Sequence, residues 1–200
     1  KGDWQGLEDK MSNLSPNEFS RVLIEMCSGK LFNKEIEKFI QTSDTEFRNL
    51  IAGYYYTEVG YLKRGMAWAS ELSEEQVDGM YDYLAKAEEQ LAKKYQNELY
   101  QTEAAGCMIG VLLNTGTTED ATYFLEIAQS INPEHWLSHY RYFRVTTPRW
   151  GGSDEEMIAF IASTKHKPLK DMLRVLVLVE MFSNDYNEDE ETAVMKFKEE

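Results

Sequence analysis

The sequence predicts an all-α fold of tetratricopeptide-like antiparallel helix pairs, stacked into a short solenoid of about nine to eleven helices. Apolar residues recur at three- and four-residue spacings along most of the chain. Several of these runs follow a Ser or Thr that has Glu or Gln three residues later, which is the pattern of a capping box. No segment alternates apolar and polar residues, so we expect essentially no sheet.

The first part of the chain, residues 1–42, predicts two helices after a short arm or weak helix over 1–11. Ser15-Pro16-Asn17-Glu18 combines a capping serine, a proline at the first helical position and a glutamate that can reach back. The helix that follows stops at Gly29, and a second runs over about 33–41. The face that we predict to be buried on the first helix comprises Phe19, Val22, Leu23 and Met26.

Ser43 or Asp44 is predicted to open a long helix that carries three consecutive tyrosines, Tyr54, Tyr55 and Tyr56. Rings on more than one face indicate a helix flanked on both sides; an exposed aromatic groove for a peptide is the alternative. Gly60 and Gly65 would let neighbouring helices approach closely. The predicted inward positions are Phe47, Leu50, Ile51, Tyr54, Tyr55, Val59 and Leu62.

Ser73-Glu74-Glu75-Gln76 predicts a further helix through about Tyr95. Its predicted inward residues are Val77, Met80, Tyr81, Leu84, Ala87 and Leu91. Helices over about 98–113 and 118–130 form the clearest repeat. In this repeat, small and apolar residues have the spacing typical of the second half of a tetratricopeptide unit. These residues are Ala121, Leu125, Ala128 and Pro133.

The last part of the chain predicts helices over about 134–145 and 154–164. Pro168 then starts a strongly apolar helix, and we expect residues 172–182 to be buried on two sides. An acidic loop from Asn184 to Glu191 and a final helix over 191–198 complete the prediction. We expect residues 1–200 to form a single helical domain, with a repeat core over 43–182 and the acidic loop and terminal helix over 183–200.

Between these helices lies the most constrained stretch of the chain, Pro148-Arg149-Trp150-Gly151-Gly152-Ser153. The proline ends the preceding helix by Val145 or Thr146, the two glycines permit a sharp reversal, and Ser153 caps the next helix. Trp150 is predicted to pin the turn onto the core while Arg149 stacks or pairs with a carboxylate from a neighbouring helix. Recognition of an anion by Arg149 is the alternative.

This stretch, followed by Glu156-Met157 and Phe160, resembles the signature of the bacterial DUF4034 family, whose domains are uncharacterised, helical and tetratricopeptide-like. The resemblance covers roughly residues 40–165. It implies a fold and supplies no catalytic residue. Supporting matches upstream are Arg64-Gly65, Ala67-Trp68-Ala69, Ala87, Leu91, Phe124, Ala128 and Pro133.

Charge restricts the classes of partner. The chain has 21 Lys and Arg against 35 Asp and Glu, a net charge of −14. Such a surface repels nucleic-acid phosphates and anionic lipid, so we expect neither nucleic-acid nor membrane binding. It favours a basic protein partner, although solubility alone also explains an acidic surface. Nothing in the sequence predicts the oligomeric state.

Cys27 and Cys107 each lie in an apolar helical context and are interpreted as small core residues, with a disulfide as the alternative. No run of apolar residues is long enough to span a bilayer. The chain begins at Lys1 rather than at methionine, so a removed signal peptide stays open as an alternative. The expected location is the bacterial cytoplasm or periplasm.

Two functional hypotheses follow, beside the option that the domain is a structural spacer within a larger assembly. The first is a non-enzymatic protein-binding module, in its concrete form a bacterial immunity or adaptor protein that holds a basic partner. The second is a metal-dependent or hydrolytic enzyme centred on His135 and His139, which are four residues apart on one helix but lack the glutamate of the His-Glu-x-x-His motif. No catalytic motif and no cofactor are predicted. The candidate partner-binding residues, for those that lie exposed, are Tyr54, Tyr55, Tyr61, Trp68, Trp136, Tyr140, Arg149 and Trp150.

Overall fold

The structure, a computed structural model, describes residues 2–28, 32–65, 67 and 69–184. Within these residues every regular element is helical and there is no strand, which confirms the all-α fold. None of the described helices combines the length and apolar character needed to cross a membrane. The ten α-helices of this part of the chain are α1 (Trp4–Met11), α2 (Pro16–Ser28), α3 (Asn33–Thr42), α4 (Glu46–Arg64), α5 (Glu74–Leu91), α6 (Glu98–Thr115), α7 (Thr118–Ile131), α8 (Trp136–Thr146), α9 (Asp154–Ser163) and α10 (Lys167–Asn184).

Helix starts agree closely with the capping patterns. The Ser73 hydroxyl accepts from the Gln76 amide, and the Gln76 side chain accepts from the Ser73 amide, so the predicted capping box of α5 is formed. The predicted start of α4, at Ser43 or Asp44, was one or two residues too early. Ser43 is extended and follows α3, whereas Thr45 caps α4 by accepting from the Arg48 amide at 3.1 Å.

Helix ends differ more. Helix α5 ends at Leu91 rather than near Tyr95, because Tyr95 folds back and its hydroxyl donates to the Gln90 carbonyl at 3.0 Å. The predicted acidic loop and final helix, from residue 185 onward, lie outside the described residues.

The chain divides into two compact units, residues 1–142 and 143–200; the single domain over residues 1–200 stays a prediction. In the first unit, consecutive helices pack most extensively as the pairs α4–α5 and α6–α7. Helix α6 is buried on all sides from Thr102 to Leu112. Cys27 and Cys107 are both buried and free, as core residues.

Close packing of α4 against α5 depends on two glycines of α4. A Cβ atom at Gly53 would lie 2.4 Å from Leu91 Cδ2, and one at Gly60 would lie 3.2 Å from the Met80 carbonyl oxygen. The close approach predicted for Gly60 is therefore confirmed. Gly65 ends α4 with φ = 73°, a conformation that glycine adopts without strain.

Two residues predicted to face inward are exposed. Leu62 is 55 % exposed, since periodicity predicts a helix face but not how far neighbouring helices cover it. Tyr81 is 44 % exposed because it lies one position, about 100°, from Met80 and hence at the edge of the buried stripe of α5.

In the second unit, α9 packs against α10. Helix α10 buries one stripe, formed by Leu169, Leu173 and Val177 at four-residue spacing. Val175 and Val179, on the other side, are each 58 % exposed. Over the part of α10 whose side chains the structure describes, burial on two sides is therefore not found.

Candidate functional site

A buried polar cluster lies in the first unit, where four segments meet. We call it the Glu103 cluster; its members are Ser20 of α2, Tyr54 of α4, Glu103 of α6 and His135, which immediately precedes α8. All four residues are fully buried. A carboxylate removed from water is costly unless hydrogen-bond donors surround it, so the geometry around Glu103 matters.

Three donors surround the Glu103 carboxylate. The Ser20 hydroxyl donates to Oε1 at 2.5 Å, and Nε2 of His135 lies 3.1 Å from the same oxygen. The Tyr54 hydroxyl donates to Oε2 at 2.6 Å. Charge-assisted hydrogen bonds of this kind are the strong ones, and here they hold three separate segments to the middle of α6.

The cluster also fixes the protonation of Tyr54. Burial, and then the negative charge of Glu103, raise the pKa of the Tyr54 hydroxyl well above its ordinary value. Tyr54 therefore remains a hydrogen-bond donor to the carboxylate throughout the neutral pH range.

Serine, histidine and glutamate are also the residue types of a hydrolytic triad. In a triad the serine faces one ring nitrogen and the acid holds the other. Here Ser20 Oγ and Glu103 Oε1 both lie 3.1 Å from the same atom, His135 Nε2, and Nδ1 has no hydrogen-bond partner. The serine hydroxyl donates to the carboxylate, and the serine is fully buried. The arrangement is therefore a buried polar link and not a triad geometry.

His139 directs its ring elsewhere. Its Nδ1 lies 3.0 Å from the carbonyl oxygen of His135 and its Nε2 lies 3.1 Å from the amide nitrogen of Gln129. An amide nitrogen donates and a carbonyl accepts, so Nδ1 carries the proton and Nε2 accepts. The two imidazoles do not converge on one point. No group of three potential metal ligands occurs in the described part of the chain.

Two glycines of α6 let His135 and Arg141, just before α8 and within it, lie against the α6 backbone. A Cβ at Gly106 would lie 3.0 Å from His135 Cε1, and one at Gly110 would lie 3.2 Å from Arg141 Cδ. Arg141 donates from Nη1 to the Gly106 carbonyl at 3.0 Å, and its guanidinium carbon lies 5.5 Å from the centre of the Tyr54 ring. These contacts place Arg141 beside the Glu103 cluster.

The candidate anchors on α4 are engaged inside the protein. Tyr54 is fully buried and Tyr55 is 4 % exposed, with its hydroxyl donating to Glu37 at 2.7 Å. Tyr61 is half-buried and donates to the Gly110 carbonyl at 2.7 Å. These tyrosines were predicted to bind a partner only if they lie exposed. Tyr54 and Tyr55 are buried, and Tyr61 is exposed only in part. Trp68 lies outside the described residues.

Trp136 and Tyr140 of α8 are half-buried, with ring centres 5.4 Å apart, and both pack against the core of the first unit. Arg149 is exposed, and its Nε lies 3.8 Å from Oε1 of Glu180. Trp150 is half-buried beneath the Arg144 guanidinium, 5.1 Å from the ring centre. This pairing of Arg149 with a carboxylate is the arrangement expected if Arg149 has a structural role and does not recognise an anion.

The turn that carries Arg149 forms as predicted. Helix α8 ends at Thr146, and Gly151 takes a left-handed conformation with φ = 93°. A Cβ at Gly152 would lie 2.2 Å from the Thr146 carbonyl oxygen, so the chain passes directly over the end of α8. Ser153 then caps α9 by accepting from the Glu156 amide at 3.1 Å.

A different site, not predicted, lies at the start of the chain. We call it the N-terminal pocket, a cavity of about 770 Å³ among α1, α2 and the start of α3. Trp4 stacks on Phe39 at a centroid distance of 4.3 Å, which holds α1 in place. The apolar residues that line the pocket are Trp4, Leu7, Leu14, Val22, Met26 and Phe32.

Charged side chains form the rim of this pocket. Within the described part of the lining, four carboxylates face one guanidinium, and all five residues are exposed: Asp3, Glu18, Glu25 and Glu35 against Arg21. Two carboxylates are fixed in place: Asp3 caps α1, and Glu18 accepts from the Ser15 amide and hydroxyl. Those Ser15 hydrogen bonds lower the pKa of Glu18, which keeps it ionised.

The sequence contained a partial signal of this pocket. Phe19, Val22, Leu23 and Met26 were predicted as one buried stripe of α2. Phe19 and Leu23 are indeed fully buried, but Val22 and Met26 are half-buried and line the pocket. A stripe wider than the core needs is a signal of a second surface, although periodicity alone does not distinguish the two.

Together the fold and the pocket define an all-helical protein with an apolar surface cavity rimmed by acidic residues. The chain belongs to the DUF4034 family, described as a domain of unknown function, whose model matches residues 61–179, more than half of the chain. No curated protein and no solved structure shows detectable similarity. The matched region starts after α1–α3, so the N-terminal pocket lies outside it.

Proposed function

We propose that this protein is a non-enzymatic, tetratricopeptide-like protein-binding module that holds a basic partner, with the N-terminal pocket as its binding site. In its concrete form it is a bacterial immunity or adaptor protein, acting in the cytoplasm or periplasm. The observation that carries the proposal is the pocket itself, a cavity of about 770 Å³ with apolar walls and an acidic rim. Cavities of this size with apolar walls and few polar groups are typical binding sites.

Charge supports the same proposal. The net charge of −14 and the four rim carboxylates attract a basic protein from solution. The consecutive packing of α4 with α5 and of α6 with α7 is the arrangement expected of helical-repeat modules, which commonly bind other proteins. The buried Glu103 cluster, by contrast, presents no accessible nucleophile.

The test is an affinity capture from bacterial lysate at low and at high salt, with the full chain as bait and mass spectrometry as readout. Val22→Lys places a positive charge at the apolar wall of the pocket and opposes a basic partner. The matched control is Val179→Lys on α10, since Val179 is 58 % exposed and is not one of the residues that line the pocket.

We expect a basic protein to be captured by the wild type and by Val179→Lys at low salt, to be lost by Val22→Lys, and to be lost at high salt. Equal capture by Val22→Lys and Val179→Lys, with both variants shown by circular dichroism to be folded, would overturn the proposal.

A further inference from the structure

We infer that the occupant of the N-terminal pocket is a basic amphipathic helix of the partner, laid along α2. This inference rests on the proposed function and specifies the chemistry of the ligand. It predicts two features of the partner segment: apolar side chains on one face, and Lys or Arg about two helical turns apart beside them.

The first step is the register of α2. Glu18, Val22, Glu25 and Met26 occupy positions i, i+4, i+7 and i+8, so they share one face of the helix. Val22 and Met26 are half-buried pocket walls, whereas Glu18 and Glu25 are exposed at the rim. The face therefore presents an apolar seam flanked by carboxylates, which is the pattern that pairs with another helix.

The second step is the length of that face. Seven residues of α-helix span about 10.5 Å, so the Glu18 and Glu25 carboxylates are two turns apart. One small cation contacts only one end of this span. A helix with basic residues seven positions apart matches both carboxylates at once, while its apolar residues enter between them.

The third step is the charge around the seam. Asp3 from the α1 side and Glu35 from α3 add two more carboxylates at the rim, and among the lining residues that the structure describes, Arg21 is the one opposing charge. A fatty acid or an acidic helix would bring negative charge against this rim and is disfavoured. Both the apolar walls and the net negative rim are satisfied only by a ligand that is apolar and basic.

The test uses three synthetic helical peptides that differ only in composition, each labelled with fluorescein and titrated with the full chain by fluorescence anisotropy. The first has Leu and Lys in an amphipathic pattern, the second replaces each Lys by Glu, and the third replaces each Leu by Ser. We expect the Leu/Lys peptide to bind at least about tenfold more tightly than either of the others.

Charge-reversal variants show whether the rim itself is responsible. Glu25→Lys and Glu35→Lys change exposed rim residues, and Asp78→Lys makes the same change on the exposed face of α5. We expect each rim variant to weaken binding of the Leu/Lys peptide about tenfold, and Asp78→Lys to change it less than about twofold, because screened long-range charge has only a small effect.

Three outcomes would overturn this inference. One is equal weakening by Asp78→Lys and Glu25→Lys, which would indicate diffuse attraction to an acidic protein. Another is equal binding of the Glu-containing peptide. The third is no peptide binding although capture from lysate still depends on Val22. In the third case the proposed function survives, because capture still depends on the pocket wall, so the failure of this inference and the failure of the proposed function are distinguishable.

Discussion

At the scale of single residues, the Glu103 cluster contains the side chains of the first unit whose substitution we expect to cost stability. Glu103 accepts from Ser20, Tyr54 and His135, and all four side chains are fully buried. Removing one donor leaves a buried charge less satisfied, which costs more than the net value of an ordinary hydrogen bond.

Tyr54→Phe tests this directly. The variant keeps the ring and removes the hydroxyl that donates to Glu103 Oε2 at 2.6 Å. We expect the free energy of unfolding to fall by about 1.5–3 kcal/mol, as for hydrogen bonds to charged groups. Urea denaturation followed by circular dichroism measures the change. Tyr123→Phe is the matched control, since Tyr123 is 59 % exposed, and a similar loss there would contradict the explanation.

The cluster also shows why this site could not be predicted. Its four members lie at positions 20, 54, 103 and 135, so no local pattern connects them. Glu103 lies in a helix whose burial on all sides is a tertiary property. His135 was singled out from the sequence, but its partners were not, because a histidine in sequence does not reveal which nitrogen faces which group.

At the scale of the element, the turn between α8 and α9 was predicted well because its determinants are local. Proline, two glycines and a capping serine act within a few residues of one another, so the sequence alone indicates stop, reversal and start. The two glycines nonetheless act in different ways. Gly151 needs a positive φ and has open space around it, whereas Gly152 lies against the backbone of Thr146.

Substituting alanine for Gly151 and for Gly152 separates the cost of a positive φ from the cost of a steric contact. At Gly151 the expected cost is about 1 kcal/mol, from the left-handed backbone alone. At Gly152 the new Cβ meets the Thr146 carbonyl at 2.2 Å, so backbone must shift, and we expect a loss of about 1–3 kcal/mol, as for overpacking. Thermal unfolding of the two variants, measured under the same conditions, shows which substitution costs more stability. A larger loss for Gly151→Ala would show that conformational strain and not contact dominates this turn.

At the scale of the whole molecule, buried weak acids set the alkaline limit of stability. Burial raises the pKa of the Cys27 and Cys107 thiols, and burial together with Glu103 raises that of Tyr54. In the unfolded chain these groups lose their protons near pH 8.5 for cysteine and about 10 for tyrosine. The folded state holds the protons to higher pH. Stability is therefore fully present below those values and is lost as pH rises beyond them.

We expect the free energy of unfolding to decrease above about pH 9, with each such group contributing up to about 1.4 kcal/mol per pH unit. Tyr54→Phe removes one of them. The difference in stability between the wild type and Tyr54→Phe should therefore narrow between neutral pH and about pH 11, as measured by urea denaturation at each pH. A difference that stays constant over this range would show that Tyr54 ionises equally in both states.

The N-terminal pocket also belongs to this scale, and the sequence contained only a partial signal of it. Net charge indicated a basic partner, and the apolar stripe of α2 indicated burial. Part of that stripe packs in the core and part lines the cavity. The boundary between the two parts depends on the positions of α1 and α3, which are set by tertiary packing.

The Glu103 cluster has a practical consequence for the choice of expression boundaries. The family-matched stretch begins at residue 61 and contains Glu103 and His135, but Ser20 and Tyr54 lie ahead of it. A fragment cut at that boundary retains the carboxylate and loses two of its three donors, together with the helices that exclude water from it. The smallest piece that preserves this centre starts before α2, so the limits of family similarity and the limits of a stable recombinant product do not coincide.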